Sequence, residues 1–144
     1  MAKIKKIKGR QVFDSRGNPT VEAEIFSEDG HSTLAIVPSG ASTGTHEAFE
    51  LRDKDNKKYL GQSVFKAIEN INGPIANALK NIDVNEQKKI DKTLIDLDGS
   101  EQKKKLGANA ILAVSIAACK LASIEKKVSL FKHLGESKKY QLPV

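Results

Sequence analysis

The order of patterns in this chain predicts an α+β fold, a three-stranded antiparallel meander followed by helices packed on one face of the sheet. Two observations carry that prediction. Up to about residue 37 the apolar residues follow a two-residue period with turn signals between runs, whereas from about residue 62 they recur at helical spacing. Strand runs followed by helix runs define this class. The connections between the strands are short, which favours antiparallel neighbours, since a parallel pair needs a long crossover.

The first apolar set is Ile4, Ile7, Val12 and Phe13, with Gly9 expected at a bulge or bend. Asp14-Ser15-Arg16-Gly17-Asn18-Pro19 is dense in turn formers. Val21, Ala23 and Ile25 then alternate with Glu22, Glu24 and Phe26, as in a strand with one buried face. Glu28-Asp29-Gly30 signals a tight hairpin, and residues 31–37 return as a third strand carrying Leu34 and Ile36. Residues 38 to about 61 read as a long loop, a length that is uncommon in a compact domain and often functional.

Val64, Phe65, Ile68 and Ile71 form the first helical face, and Gly73-Pro74 is expected to break or kink that helix. Ile75, Ala78, Leu79 and Ile82 continue the pattern. Asp83 followed by Glu86 resembles a capping box, after which Ile90, Leu94 and Leu97 line a face that ends at Asp98-Gly99. Residues 106–127 are rich in alanine, with Leu112, Ile116 and Leu121 among them; small side chains allow close approach, which predicts a central helix. Leu130, Phe131 and Leu134 suggest a short last helix before Leu142-Pro143-Val144.

Composition excludes several functions. Hydrophobic residues make up 39% and charged residues 29%, a balance typical of globular chains. No apolar run approaches the roughly 18 residues of a spanning helix, and no targeting segment is visible, so the default compartment is the cytoplasm. The net charge of +6 invites a nucleic-acid reading, but the lysines are dispersed and no aromatic residue interleaves with a lysine run. A solvated surface is the better account, and nucleic-acid binding is not expected as the main role. Cys119 is the only cysteine, which excludes an internal disulfide and points to a small buried hydrophobe.

The strongest local candidate for chemistry is Pro38-Ser39-Gly40-Ala41-Ser42-Thr43-Gly44-Thr45-His46. Its glycines permit unusual backbone angles, and its hydroxyls and amides suit a phosphate or hard cation. Composition alone leaves ligand contact and plain flexibility both open. The loop is neither a P-loop nor a dinucleotide fingerprint, since Gly-Lys-[Ser/Thr] and Gly-x-Gly-x-x-Gly are both absent. His31, His46 and His133 share no metal-ligand spacing. Asp53 and Asp55, among Lys54, Lys57 and Lys58, read as a solvated turn; Arg16 and Glu22 are harder to dismiss, and local reading leaves open both a turn tied by Arg16 beside Asp14 and a functional role.

Gly9-Arg10-Gln11-Val12-Phe13-Asp14-Ser15-Arg16-Gly17-Asn18-Pro19-Thr20-Val21-Glu22 closely resembles the opening signature of enolases. Val37-Pro38-Ser39-Gly40-Ala41-Ser42-Thr43-Gly44, with His46-Glu47-Ala48 and Glu50-Leu51-Arg52-Asp53, resembles the family's first mobile loop, and Leu106-Gly107-Ala108-Asn109-Ala110-Ile111-Leu112 a third family block. The blocks stand in family order and spacing, and the resemblance covers residues 1–144 as an N-terminal domain. Lys54 and Ala113 depart from it, each standing where glycine is expected.

The resemblance implies a Mg²⁺-dependent hydro-lyase that reversibly dehydrates 2-phospho-D-glycerate to phosphoenolpyruvate in glycolysis. Enolase-superfamily sites use a lysine or histidine base with one or two Mg²⁺ ions stabilising the ene-diolate. The family adds an α/β barrel after this domain, beyond Val144, and that barrel carries the base, the general acid and three carboxylate metal ligands. The 144-residue chain is therefore expected to be inactive alone, with no catalytic residue and no bound Mg²⁺ of its own. Ser42 matches the serine that binds the second Mg²⁺, and Ser39, Gly40, Ala41, Thr43 and Gly44 shape the lid over the substrate. Arg10 and Glu22 match positions facing the partner's barrel in a homodimer. The family also implies a secondary cell-surface or secreted pool. A freestanding module without activity and a binding module are the alternatives for the chain as it stands.

Overall fold

In a computed structural model, which describes residues 2–40 and 44–135, the chain forms β1 (Ile4–Phe13), β2 (Pro19–Ser27) and β3 (Ser32–Val37). Five helices follow: α1 (Phe65–Asn70), α2 (Ala76–Leu79), α3 (Gln87–Asp98), α4 (Ala108–Glu125) and α5 (Leu130–Leu134). The strands pair antiparallel in the order β1-β2-β3. This is the α+β meander that the sequence predicts, with the helices on one face.

The inner face of the sheet is Ile4, Ile7, Val21, Ala23, Ile25 and Ala35, all buried. An extra residue between Ile4 and Lys6 shifts the register of β1, and this lets Ile4 and Ile7 both face inward although they are three apart. The irregularity does not fall at Gly9, which pairs regularly with Ala23. Glycine is needed there for a different reason: a Cβ would lie 3.0 Å from Ile71 Cβ. The free edge of β1 is covered as well. Asn72 Oδ1 accepts from the Gly9 amide at 2.7 Å, and Ile4 exchanges backbone bonds with residues 81 and 82.

α4 crosses β2 and β3 as expected of the central helix, and Thr33 Oγ1 on β3 donates to the Ala117 carbonyl at 2.8 Å. Its buried stripe is Ala110, Ala113, Val114, Ala117, Ala118, Leu121 and Ala122, while Leu112 and Ile116 face outward. α4 also has the length and composition of a membrane span, with 18 residues at a mean hydropathy of 1.5, contrary to the sequence reading; half of it is buried within the domain.

Five local expectations change. Pro74 does not break the chain: residues Ile71–Ile75 widen into a π turn, which accommodates a proline without an N–H, and the helix resumes as α2. Phe65 is exposed, and Ala67 is the buried residue of α1. Asp83 forms a turn with the Asn85 amide, and α3 starts after Glu86 without a side-chain cap, so there is no capping box. Leu97 is exposed, and the third inward residue of α3 is Asp98, which is fully buried. Asp53 is more than a solvated turn, because its two oxygens accept from the Phe65 and Lys66 amides at the start of α1, each at 2.9 Å.

Candidate functional site

The glycine- and hydroxyl-rich loop leaves the sheet after β3, and both described ends of it are pinned. At the first end, the Ser39 carbonyl accepts from Arg16 Nη2 at 2.8 Å and its hydroxyl accepts from Arg52 Nη2 at 3.1 Å. At the other end, the Gly44 amide donates to Glu47 Oε1 at 2.8 Å, and the Glu47 amide donates back to the Gly44 carbonyl at 3.3 Å. Ala41, Ser42 and Thr43, the lid centre and metal ligand expected from the sequence, lie outside the described residues.

Arg16 is held in place by its own turn. The Asp14 carboxylate accepts from the Arg16 and Asn18 amides at 2.8 and 2.9 Å and stands 3.7 Å from the Arg16 guanidinium. The Asn18 amide is the main reason that the Asp14 carboxyl titrates below its ordinary value. Gly17 closes the turn with φ of +79°, a conformation suited to glycine. The turn tie read from the sequence is present, and it reaches further than expected, to Ser39.

The opposite wall comes from the start of α4. The Asn109 side chain pairs with the Leu51 backbone as a second strand would, accepting from its amide at 3.2 Å and donating to its carbonyl at 3.0 Å. The Ala108 amide donates to the Phe49 carbonyl at 2.8 Å. Gly107 makes this approach possible: its φ is +91°, and a Cβ there would lie 2.5 Å from the Leu51 side chain. Between the loop and the first turn of α4 lies a cavity of about 550 Å³, lined by residues that include Ser39, Gly40, Gly44, Glu47 and Asn109. A second hollow borders Phe13, Arg16 and Ser39, so Ser39 stands between the two.

Ser39, Gly40 and Gly44 are thus brought together at one cavity. Arg10 and Glu22 line neither hollow. They pair across the strands on the outer face of the sheet, with Arg10 Nε donating to Glu22 Oε1 at 2.7 Å and its Nη2 to Glu24 Oε2 at 2.8 Å. The carboxylates beside Arg10 hold its guanidinium above its ordinary pKa, the hydrogen bond to Glu22 contributing most. Arg52, Gly107 and Asn109 stand within the family blocks, but their sequence alone implies no role for them. A glycine immediately before an alanine-rich helix was the available signal for a close backbone approach; nothing local marked Arg52.

No described cluster of three His, Cys, Asp or Glu residues could hold a metal ion. His31 pairs instead with Glu125 at 3.1 Å. The carboxylates nearest the loop are engaged, Glu47 with the Gly44 amide and Glu50 with Arg52 at 2.8 Å. The described residues therefore do not fit a Mg²⁺ site by themselves, because that ion demands several oxygen ligands in near-octahedral array.

A three-stranded meander covered by helices, with a glycine-rich loop held at both described ends along a solvent-facing cavity, defines an α+β domain. The family model described as the enolase N-terminal domain matches residues 4–134. The chain belongs to the enolase N-terminal domain family.

Proposed function

We propose that this domain supplies the lid side of an enolase site, which reversibly dehydrates 2-phospho-D-glycerate to phosphoenolpyruvate in glycolysis. The observation that supports it most is the loop bracketed at Ser39 and Gly44 along the cavity, in a domain of this family. Mg²⁺, if bound, would supply electrostatic stabilisation of negative charge beside a carboxylate. The domain's own contribution is to hold the loop's origin, to shape the cavity wall and to exclude water when substrate is present. Ser42 is this chain's ligand for the second ion, and the remaining metal ligands, the base and the general acid belong to a barrel. On this reading the 144-residue chain alone has no turnover. Arg10 and Glu22 face a partner's barrel in a cytoplasmic homodimer.

Ser42→Ala, in an enzyme joining this domain to an enolase barrel, tests the role of the loop. Its melting temperature should stay unchanged while turnover falls on the order of tenfold to a hundredfold and more Mg²⁺ is required. Unchanged turnover and Mg²⁺ dependence would remove Ser42 from the site.

A further inference from the structure

We infer that Arg52 is the positioning residue of the candidate site, fixing the point from which the glycine- and hydroxyl-rich loop departs. The inference rests on the reading of that loop as the substrate-facing lid. The Arg52 side chain is 12% exposed and sits where four segments meet. Nη2 donates to Ser39 Oγ at 3.1 Å and to Glu50 Oε1 at 2.8 Å. Nη1 donates to the Pro19 carbonyl, at the start of β2, at 2.9 Å and to the Gln62 carbonyl, just before α1. One planar cation thus gathers the start of β2, the exit from β3, and the middle and end of the long connection.

Arg16 holds the other polar group of Ser39, but it is 47% exposed and divides its charge with Asp14. Charge-assisted bonds strengthen where water is excluded, so the enclosed guanidinium is the firmer of the two anchors. Lysine cannot replace it, because three donors on a single nitrogen do not reproduce a fork that reaches acceptors on four segments. A loop whose origin is fixed loses fewer conformations when it meets a ligand, and even a small misplacement of a reacting constellation is costly. Arg52 therefore acts through Ser39 and needs no contact with substrate.

The test has two arms. In the 144-residue chain, Arg52→Lys should speed amide exchange at Ser39 and Gly40, and Ser39→Ala should do the same, while Ala23 and Ile25 in β2 keep their protection. In the enzyme joined to a barrel, each variant should lower kcat/KM for 2-phosphoglycerate on the order of tenfold. The double variant should fall no further than Arg52→Lys alone, because Arg52→Lys already removes the contact that Ser39→Ala cuts. Unchanged exchange at Ser39 and Gly40 would overturn the anchor. Faster exchange with unchanged kcat/KM, or effects that multiply in the double variant, would overturn the positioning role. If the unmodified joined enzyme forms no phosphoenolpyruvate, the functional reading falls and the kinetic role with it, while the exchange arm still decides the anchor.

Discussion

Asp98 shows what a single side chain does that its type does not announce. It is fully buried at the end of α3, and its carboxylate accepts from the Ser100 hydroxyl, from the Ser100 amide at 3.0 Å and from the Leu106 amide at 2.7 Å. Burial alone would raise its pKa, but the donated hydrogen bonds outweigh it, led by the Leu106 amide, and the value lies below the ordinary 3.8. A depressed folded-state pKa stabilises fully above the unfolded value of about 4 and is lost as pH falls through the folded value. Asp98→Asn should therefore cost about 1.5–3 kcal/mol at neutral pH and narrow its gap from the parent in acid, as read by denaturant unfolding across pH. A gap independent of pH would contradict this. The sequence places Asp98 at the end of the helix but not inside the core, because the donors that satisfy it come from the following turn. Cys119 was legible only in part: it is half-buried rather than part of the core, with burial and Asp91 pushing its thiol pKa up. Lys54, where the family resemblance expects glycine, adopts φ of +59°, a left-handed conformation that explains the expectation.

The helices divide according to where their stabilising partners lie in the chain. The alanines of α4 predict its central place, and the residues turned inward are mostly those alanines, while Leu112 and Ile116 face outward. With apolar side chains on both faces, periodicity cannot tell which face packs. α1 depends on Asp53, twelve residues before Phe65 in sequence, for the acceptor at its first two amides. Local pattern cannot find a cap supplied from across a loop. Asp53→Ala should cost about 0.5–2 kcal/mol and raise amide exchange at Phe65 and Lys66, with α3 unaffected. Undiminished protection of those two amides would show that α1 does not need the cap. The sheet was read well because its turns are local: Gly17 and Gly30, with φ of +79° and +91°, stand where the turn residues put them.

Over the whole domain, the sheet order, the layer of helices and the three family blocks were legible, since each rests on short-range pattern. The site was legible in part. Ser39, Gly40 and Gly44 come to one cavity, but the guanidinium that gathers four segments and the close approach at Gly107 are products of the tertiary fold. On the outer face, Arg10 is held between Glu22 and Glu24, beside exposed Leu34 and Ile36. If that face meets a partner's barrel, Arg10→Ala in the joined enzyme should shift sedimentation from dimer toward monomer, and a dimer of unaltered affinity would exclude Arg10 from the interface. The central claim is that this domain forms one side of an enolase site whose chemistry is completed by a barrel. Its most direct test is phosphoenolpyruvate formation from 2-phosphoglycerate with Mg²⁺, measured for the 144-residue chain and for the same chain joined to an enolase barrel. The account predicts product from the joined protein and none from the chain alone; product from the chain alone, or none from the joined protein, would contradict it.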